Sequence, residues 1–232
     1  MPYLAVALLL SVFTLSGARA AELTEVETRW LQAGAPVIAY AREQRLPLDV
    51  VVEPQARPGD APLAMGFLKD RCKLVLAMRG NPEGQATLDR IEPALLQPVL
   101  EAMFAHELGH CWRYVHGAWH TLPKGFVDVS DDTRLDQDLA RLVRDMRETR
   151  REEGYADLVG LAWTGRAHPA DYAGVLAWFE RVRQDEFEGE HHDTGIWLRL
   201  ARDPAAFGAA ATLFEQAQPL WERGLREMLR DR

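Results

Sequence analysis

Positive charge is in short supply in this chain of 232 residues, where 27 Lys and Arg stand against 35 Asp and Glu for a formal net charge of −8. Nucleic-acid binding depends on neutralising phosphates with basic side chains, so an acidic chain is poorly suited to it and no nucleic-acid partner is expected. Long apolar runs are lacking as well. The stretch Leu4 to Leu15 falls short of the ~20 residues that a membrane-spanning helix needs, and no stable membrane anchor is expected. Cysteine is nearly absent: Cys72 and Cys111 are too widely spaced for a typical thiolate metal site. Internal repeats and low-complexity tracts are missing too, and with 47% hydrophobic residues nothing points to disorder.

What the apolar stretch does fit is export. Leu4 to Leu15 is followed by Ser16-Gly17 and the small-residue triplet Ala18-Arg19-Ala20, the pattern of a secretory signal peptide cut after Ala20. The expected product, residues 21–232, is a single domain in the periplasm or outside the cell. Its net charge becomes −9, because Arg19 is the one charged residue removed. In an oxidising compartment Cys72 and Cys111 can pair, and a disulfide between them is expected.

Along the chain, sheet precedes helix. Residues 22–46 carry apolar positions at helical spacing and predict a helix, or a helical pair broken near Gly34-Ala35-Pro36. Short strands are predicted at Leu48 to Val52, Leu63 to Leu68 and Cys72 to Met78, with a turn at Asn81-Pro82-Glu83-Gly84. From Pro93 the pattern is mainly helical: Pro98 to Val115, Asp132 to Trp163, Pro169 to Phe187 and Pro204 to Leu229. The fold class is therefore α+β.

The chemistry concentrates at His106-Glu107-Leu108-Gly109-His110. Two histidines four apart on a helix lie about 40° apart around its axis, so both imidazoles can address one ion, which zinc accepts readily. Between them Glu107 can act as general base toward a water that the metal acidifies. The surrounding helix is apolar nearly all round, with Val99, Leu100, Met103, Phe104, Leu108, Cys111 and Val115, and should be buried. Buried histidines and a carboxylate are costly without a partner, and one zinc per chain is the expected partner.

A catalytic zinc takes three protein ligands, and two candidates exist for the third. Glu153 lies four residues before Asp157 on one helical face, so Glu153 can ligate while Asp157 fixes the tautomer of a ligand histidine. Gly154 would let the two helices approach closely. His116 is the alternative, with the spacing of the metzincin motif HExxHxxGxxH, but Arg113 stands where that motif has the glycine that turns the chain. Glu152 belongs to the charged run Arg144 to Glu152, which predicts a solvated helix face.

His106-Glu107-Leu108-Gly109-His110 with Glu153-Gly154-Tyr155-Ala156-Asp157 downstream resembles the gluzincin metallopeptidases, the thermolysin-like group, and especially the smaller members related to CAAX prenyl proteases. The resemblance covers about residues 63–163. It implies a zincin-like fold, a small N-terminal sheet followed by a mainly helical body around the HExxH helix. It also implies His106, His110 and Glu153 as ligands, Glu107 as catalytic base and Asp157 behind the ligands. A peptide or protein substrate follows from it, and a catalytically silent zincin-like binding module or a zinc amidase is the competing expectation. For the tetrahedral oxyanion the candidates are His191, His192 and Tyr155. The strand Cys72 to Met78 is expected to form the edge of the cleft, where an extended peptide could pair.

Overall fold

Thr24 opens the first helix with a reciprocal cap: its hydroxyl accepts the Glu27 backbone N–H, while the Glu27 carboxylate accepts the Thr24 N–H. The computed structural model describes residues 22–57, 59–128, 134–184 and 190–230. The signal-peptide expectation for residues 1–20 lies outside them. The helix, α1 (Glu25–Glu43), is continuous, and Pro36 sits inside it. The missing N–H costs one backbone bond, but Trp30 and Val37, fully buried on either side of the proline, keep the helix on the core. At Gly34 a Cβ would come within 2.3 Å of the Phe104 ring, so that ring packs directly on the helix backbone.

Three strands follow, β1 (Leu48–Val52), β2 (Leu63–Leu68) and β3 (Arg71–Leu76). A two-residue turn joins β2 to β3, and Lys69 and Asp70 both have positive φ, 51° and 60°, as tight hairpins require. The sheet order is β1-β3-β2, with β3 parallel to β1 and antiparallel to β2. This corrects the expectation for residues 72–78: that strand is central, hydrogen-bonded on both sides, and β1 and β2 are the edges of the described sheet, with β2 the one beside the cleft. Cys72, Leu74 and Leu76 alternate toward the helices and are fully buried.

The predicted turn at residues 81–84 instead starts a short helix, α2 (Glu83–Arg90), because Pro82 takes helical φ and ψ and leads into the first turn. The body then comprises α3 (Leu96–Val115), α4 (Gln137–Ala167), α5 (Tyr172–Arg183), α6 (Gly195–Leu200) and α7 (Leu213–Arg230). The long helix expected from Pro204 is interrupted, since Pro204–Phe207 is a 3-10 turn ended by Gly208 at φ 66°. One hydrophobic core gathers residues from α1, the sheet and α3 to α7. The architecture is α+β, and no helix among the described residues is long and apolar enough to cross a membrane.

α3 lies at the centre, between α1, the sheet and α4. A Cβ at Gly109 would approach the Ala156 Cα of α4 to 2.9 Å, and one at Gly160 would meet the Ala102 carbonyl oxygen at 2.7 Å. These two glycines, not Gly154, bring the helices together; Gly154 makes room for the Trp197 ring of α6 instead. The Cys72–Cys111 disulfide forms between β3 and α3, with Cα atoms 5.6 Å apart.

The charged run of α4 is only partly solvated. Arg147, Arg151 and Glu152 are buried, with Glu152 1% exposed. For Glu152 the reason is Arg113 of α3, itself 2% exposed, whose Nε and Nη2 donate to the Glu152 carboxylate at 2.5 and 3.0 Å, while Arg147 and Arg151 face Asp128. A buried pair with this geometry offsets the desolvation that an isolated charge could not, and the Arg113 guanidinium also lies 4.1 Å from the Trp221 ring centre.

Candidate metal centre

His106, Glu107 and His110 come from the middle of α3, and Glu153 and Asp157 from the facing turns of α4. The close approach at Gly109, between the two histidines, sets how far apart the two sets of side chains stand. One ligand atom each from His106, His110 and Glu153 falls within 4.8 Å of the others, so these three can hold a metal ion. His106 Nε2 is 3.5 Å from Glu153 Oε2, His110 Nε2 is 3.3 Å from Glu153 Oε1, and the two Nε2 atoms are 3.1 Å apart.

The surroundings orient these donors. His106 Nδ1 lies 2.8 Å from Asp157 Oδ1, and a carboxylate only accepts, so Nδ1 carries a proton and Nε2, on the Glu153 side, is the nitrogen left to address an ion. Asp157 is fully buried and also accepts from Thr194 Oγ1 at 2.6 Å and from Arg183 Nε and Nη2 at 3.1 and 2.9 Å. Burial alone would raise its pKa, but Arg183 and His106 outweigh it and hold the carboxyl at about 2. Arg183 Nη2 donates to Glu153 Oε2 as well, at 3.1 Å.

Electrostatics favour a cation in the cluster. Glu153 is pulled well below the usual carboxylate range; burial opposes its charge, but His110, His106 and Arg183 prevail. Burial likewise works against a charged His110, yet the Glu153 carboxylate lifts its pKa to about 9. Glu107 is pushed upward by burial, which outweighs the nearby histidines. With both imidazoles neutral, as metal ligation requires, three carboxylates of this cluster, Glu107, Glu153 and Asp157, face one guanidinium among the described residues. The formal deficit of two charges is what a divalent ion would neutralise, and two imidazoles with a carboxylate are a donor set suited to zinc.

The other sequence candidates separate by position. His116 ends α3, exposed, with its ring stacked on Trp112 and Nδ1 donating to the Trp112 carbonyl at 2.8 Å, and it is not part of the cluster. Tyr155 is fully buried, and its hydroxyl donates to the Phe214 carbonyl at 3.1 Å. It faces α7, away from the cleft. His191 lies beside Asp145, whereas His192 lines the cleft with Nε2 3.8 Å from Glu153 Oε2. His192 alone of those three is placed to meet a ligand there.

A cleft of about 400 Å3 opens over the three candidate ligands and Glu107, walled by β2, by Met103 and Phe179, and by Trp119. No local sequence signal marks Arg183, Thr194 or Trp119 as site residues. Arg183 has no local motif around it, and Thr194 and Trp119 reach the site only through packing. No protein-family model matches the chain, and neither a curated protein nor a solved structure matches it.

Proposed function

We propose that the chain is a zinc-dependent peptidase with a zincin-like fold, acting in the periplasm or outside the cell. The observation that carries this reading is the convergence of His106, His110 and Glu153 within 4.8 Å, with Glu107 beside them at the floor of the cleft. Zinc bound there would acidify water and polarise a carbonyl oxygen. Three protein ligands leave a coordination position open, which a purely structural site would close.

In this reading Glu107 accepts the proton of the attacking water and passes it to the leaving amine. Its place in the cleft lining beside the two histidines suits a group that must both take up and release a proton. Asp157 fixes the His106 tautomer, and His192 donates toward the oxyanion that develops on the scissile carbonyl. β2 pairs only with β3 among the described strands, so an extended peptide has an edge to pair with. The Cys72–Cys111 disulfide supports an oxidising compartment.

The test is Glu107→Gln in purified residues 21–232, with zinc content and hydrolysis of a quenched-fluorescence peptide pool measured together. Zinc should stay bound while turnover falls by roughly 100-fold or more, the usual scale of a general base. Undiminished turnover would remove Glu107 from its role. Zinc binding without turnover in the wild type would favour the silent binding module.

A further inference from the structure

At the His110 end of the cleft the wall is aromatic and unusually well anchored. Trp119 packs edge-on against His110, ring centres 5.6 Å apart, and against Phe67 of β2 at 5.0 Å, while Phe67 stacks on Tyr114 of α3 at 4.0 Å and 13°. Trp119 and Phe67 both line the cleft and both are only half-buried. A tryptophan on a connecting segment ordinarily shifts, but this one is bracketed. The carbonyl before it, on Ala118, accepts from Arg113 Nη2 at 2.7 Å, as does that of Thr121 at 3.0 Å. The N–H after it, on His120, donates to Glu152 Oε1 at 2.9 Å. The buried Arg113–Glu152 pair therefore grips the backbone on both sides of Trp119, and the ring itself rests on His110 and Phe67.

We infer that Trp119 and Phe67 form a specificity subsite for a large apolar or aromatic side chain on one side of the scissile bond of an extended peptide. The inference rests on the peptidase reading of the same cleft. Ring faces and edges supply the contact surface, and the charged groups at this end are matched to one another, Arg113 with Glu152 and His120 with Glu148. Among the described residues that β2 and the segment after α3 contribute to the cleft lining, none carries a charge to recognise an acidic or basic side chain. Phe67 also places the subsite next to the edge of β2 that no described strand pairs, where a peptide strand would present alternate side chains to it.

The test uses zinc-loaded residues 21–232 and a peptide set carrying Phe, Leu, Ala, Lys or Glu at each position flanking the cleavage point. At one of those positions the wild type should favour Phe and Leu over Ala by roughly 10-fold or more in kcat/KM, the scale on which an apolar pocket discriminates. Trp119→Ala should abolish that preference, mainly through KM, bringing kcat/KM of the Phe and Leu peptides down to that of the Ala peptide. Trp119→Phe, which keeps a ring, should retain most of the preference, whereas a merely structural residue would lower all peptides alike. A preference for Lys or Glu, or one unchanged in Trp119→Ala, overturns the subsite while leaving the peptidase reading intact. If no peptide is cleaved, binding of the same set decides: tighter binding of Phe than Ala peptides, lost in Trp119→Ala, keeps the subsite and removes the peptidase. Equal or absent binding removes both.

Discussion

Arg183 Nη2 stands 3.1 Å from Glu153 Oε2 and 2.9 Å from Asp157 Oδ1, so a single guanidinium touches both the candidate ligand and the carboxylate that orients His106. Engaging Oε2 leaves Oε1, which faces His110, as the oxygen best placed for an ion. Arg183→Ala should weaken zinc binding by about 10- to 100-fold, the usual effect of removing a group that orients a ligand. Competition against a chromophoric chelator measures this, with circular dichroism as the check on folding. Unchanged affinity would reduce Arg183 to a wall of the cleft.

Ligand identity is tested by zinc per chain. Elemental analysis should give about one zinc for the wild type and for His116→Ala, as a single three-ligand site requires. His110→Ala and Glu153→Ala should lose most of it. Loss in His116→Ala alone would move the third ligand to the end of α3.

Stability should depend strongly on the buried pair between α3 and α4. Arg113→Ala leaves the Glu152 carboxylate, 1% exposed, without its partner, and is expected to destabilise by about 3–5 kcal/mol in urea unfolding. Arg71→Ala, which opens the surface pair with Asp49, should leave the urea midpoint essentially unmoved. Similar effects from the two variants would mean that burial does not separate them.

The Cys72–Cys111 bridge closes a loop with a sequence separation of 39 residues. Loop entropy of that length corresponds to about 4 kcal/mol, and the observed loss on making Cys72→Ser/Cys111→Ser should be about 2–4 kcal/mol. Thermal unfolding of the double variant and of the wild type measures it. Coincident transitions would show that packing alone holds β3 on α3.

Much of this was legible in the sequence where periodicity was strong. The strands at 48–52 and 63–68 and the helix carrying His106 to His110 appear at or within two residues of their predicted bounds. α6, six residues long, was too short to show a helical period, and α2 was hidden behind a Pro-Glu-Gly sequence that reads as a turn. The pattern of β3 marks a strand but not its place, because sheet order depends on partners that local pattern does not encode. Glu152 was misread for a similar reason: a charged run predicts a solvated face unless a counter-ion such as Arg113 arrives from another helix. His106, His110 and Glu153 could be singled out by spacing, whereas Arg183 sits 30 residues beyond Glu153 with nothing local to mark it.

Gly109 lies between the two histidines, and its missing side chain lets α3 rest on the backbone of α4. The gap between donors on the two helices is thereby set by main-chain contact, which yields far less than side-chain rotation. If an ion binds there, the helices cannot move apart or together to suit its size, and only rotation of the Glu153 and histidine side chains can adjust the fit. Discrimination among metals by ionic radius would then be a property of the scaffold, written in a residue that has no side chain to offer.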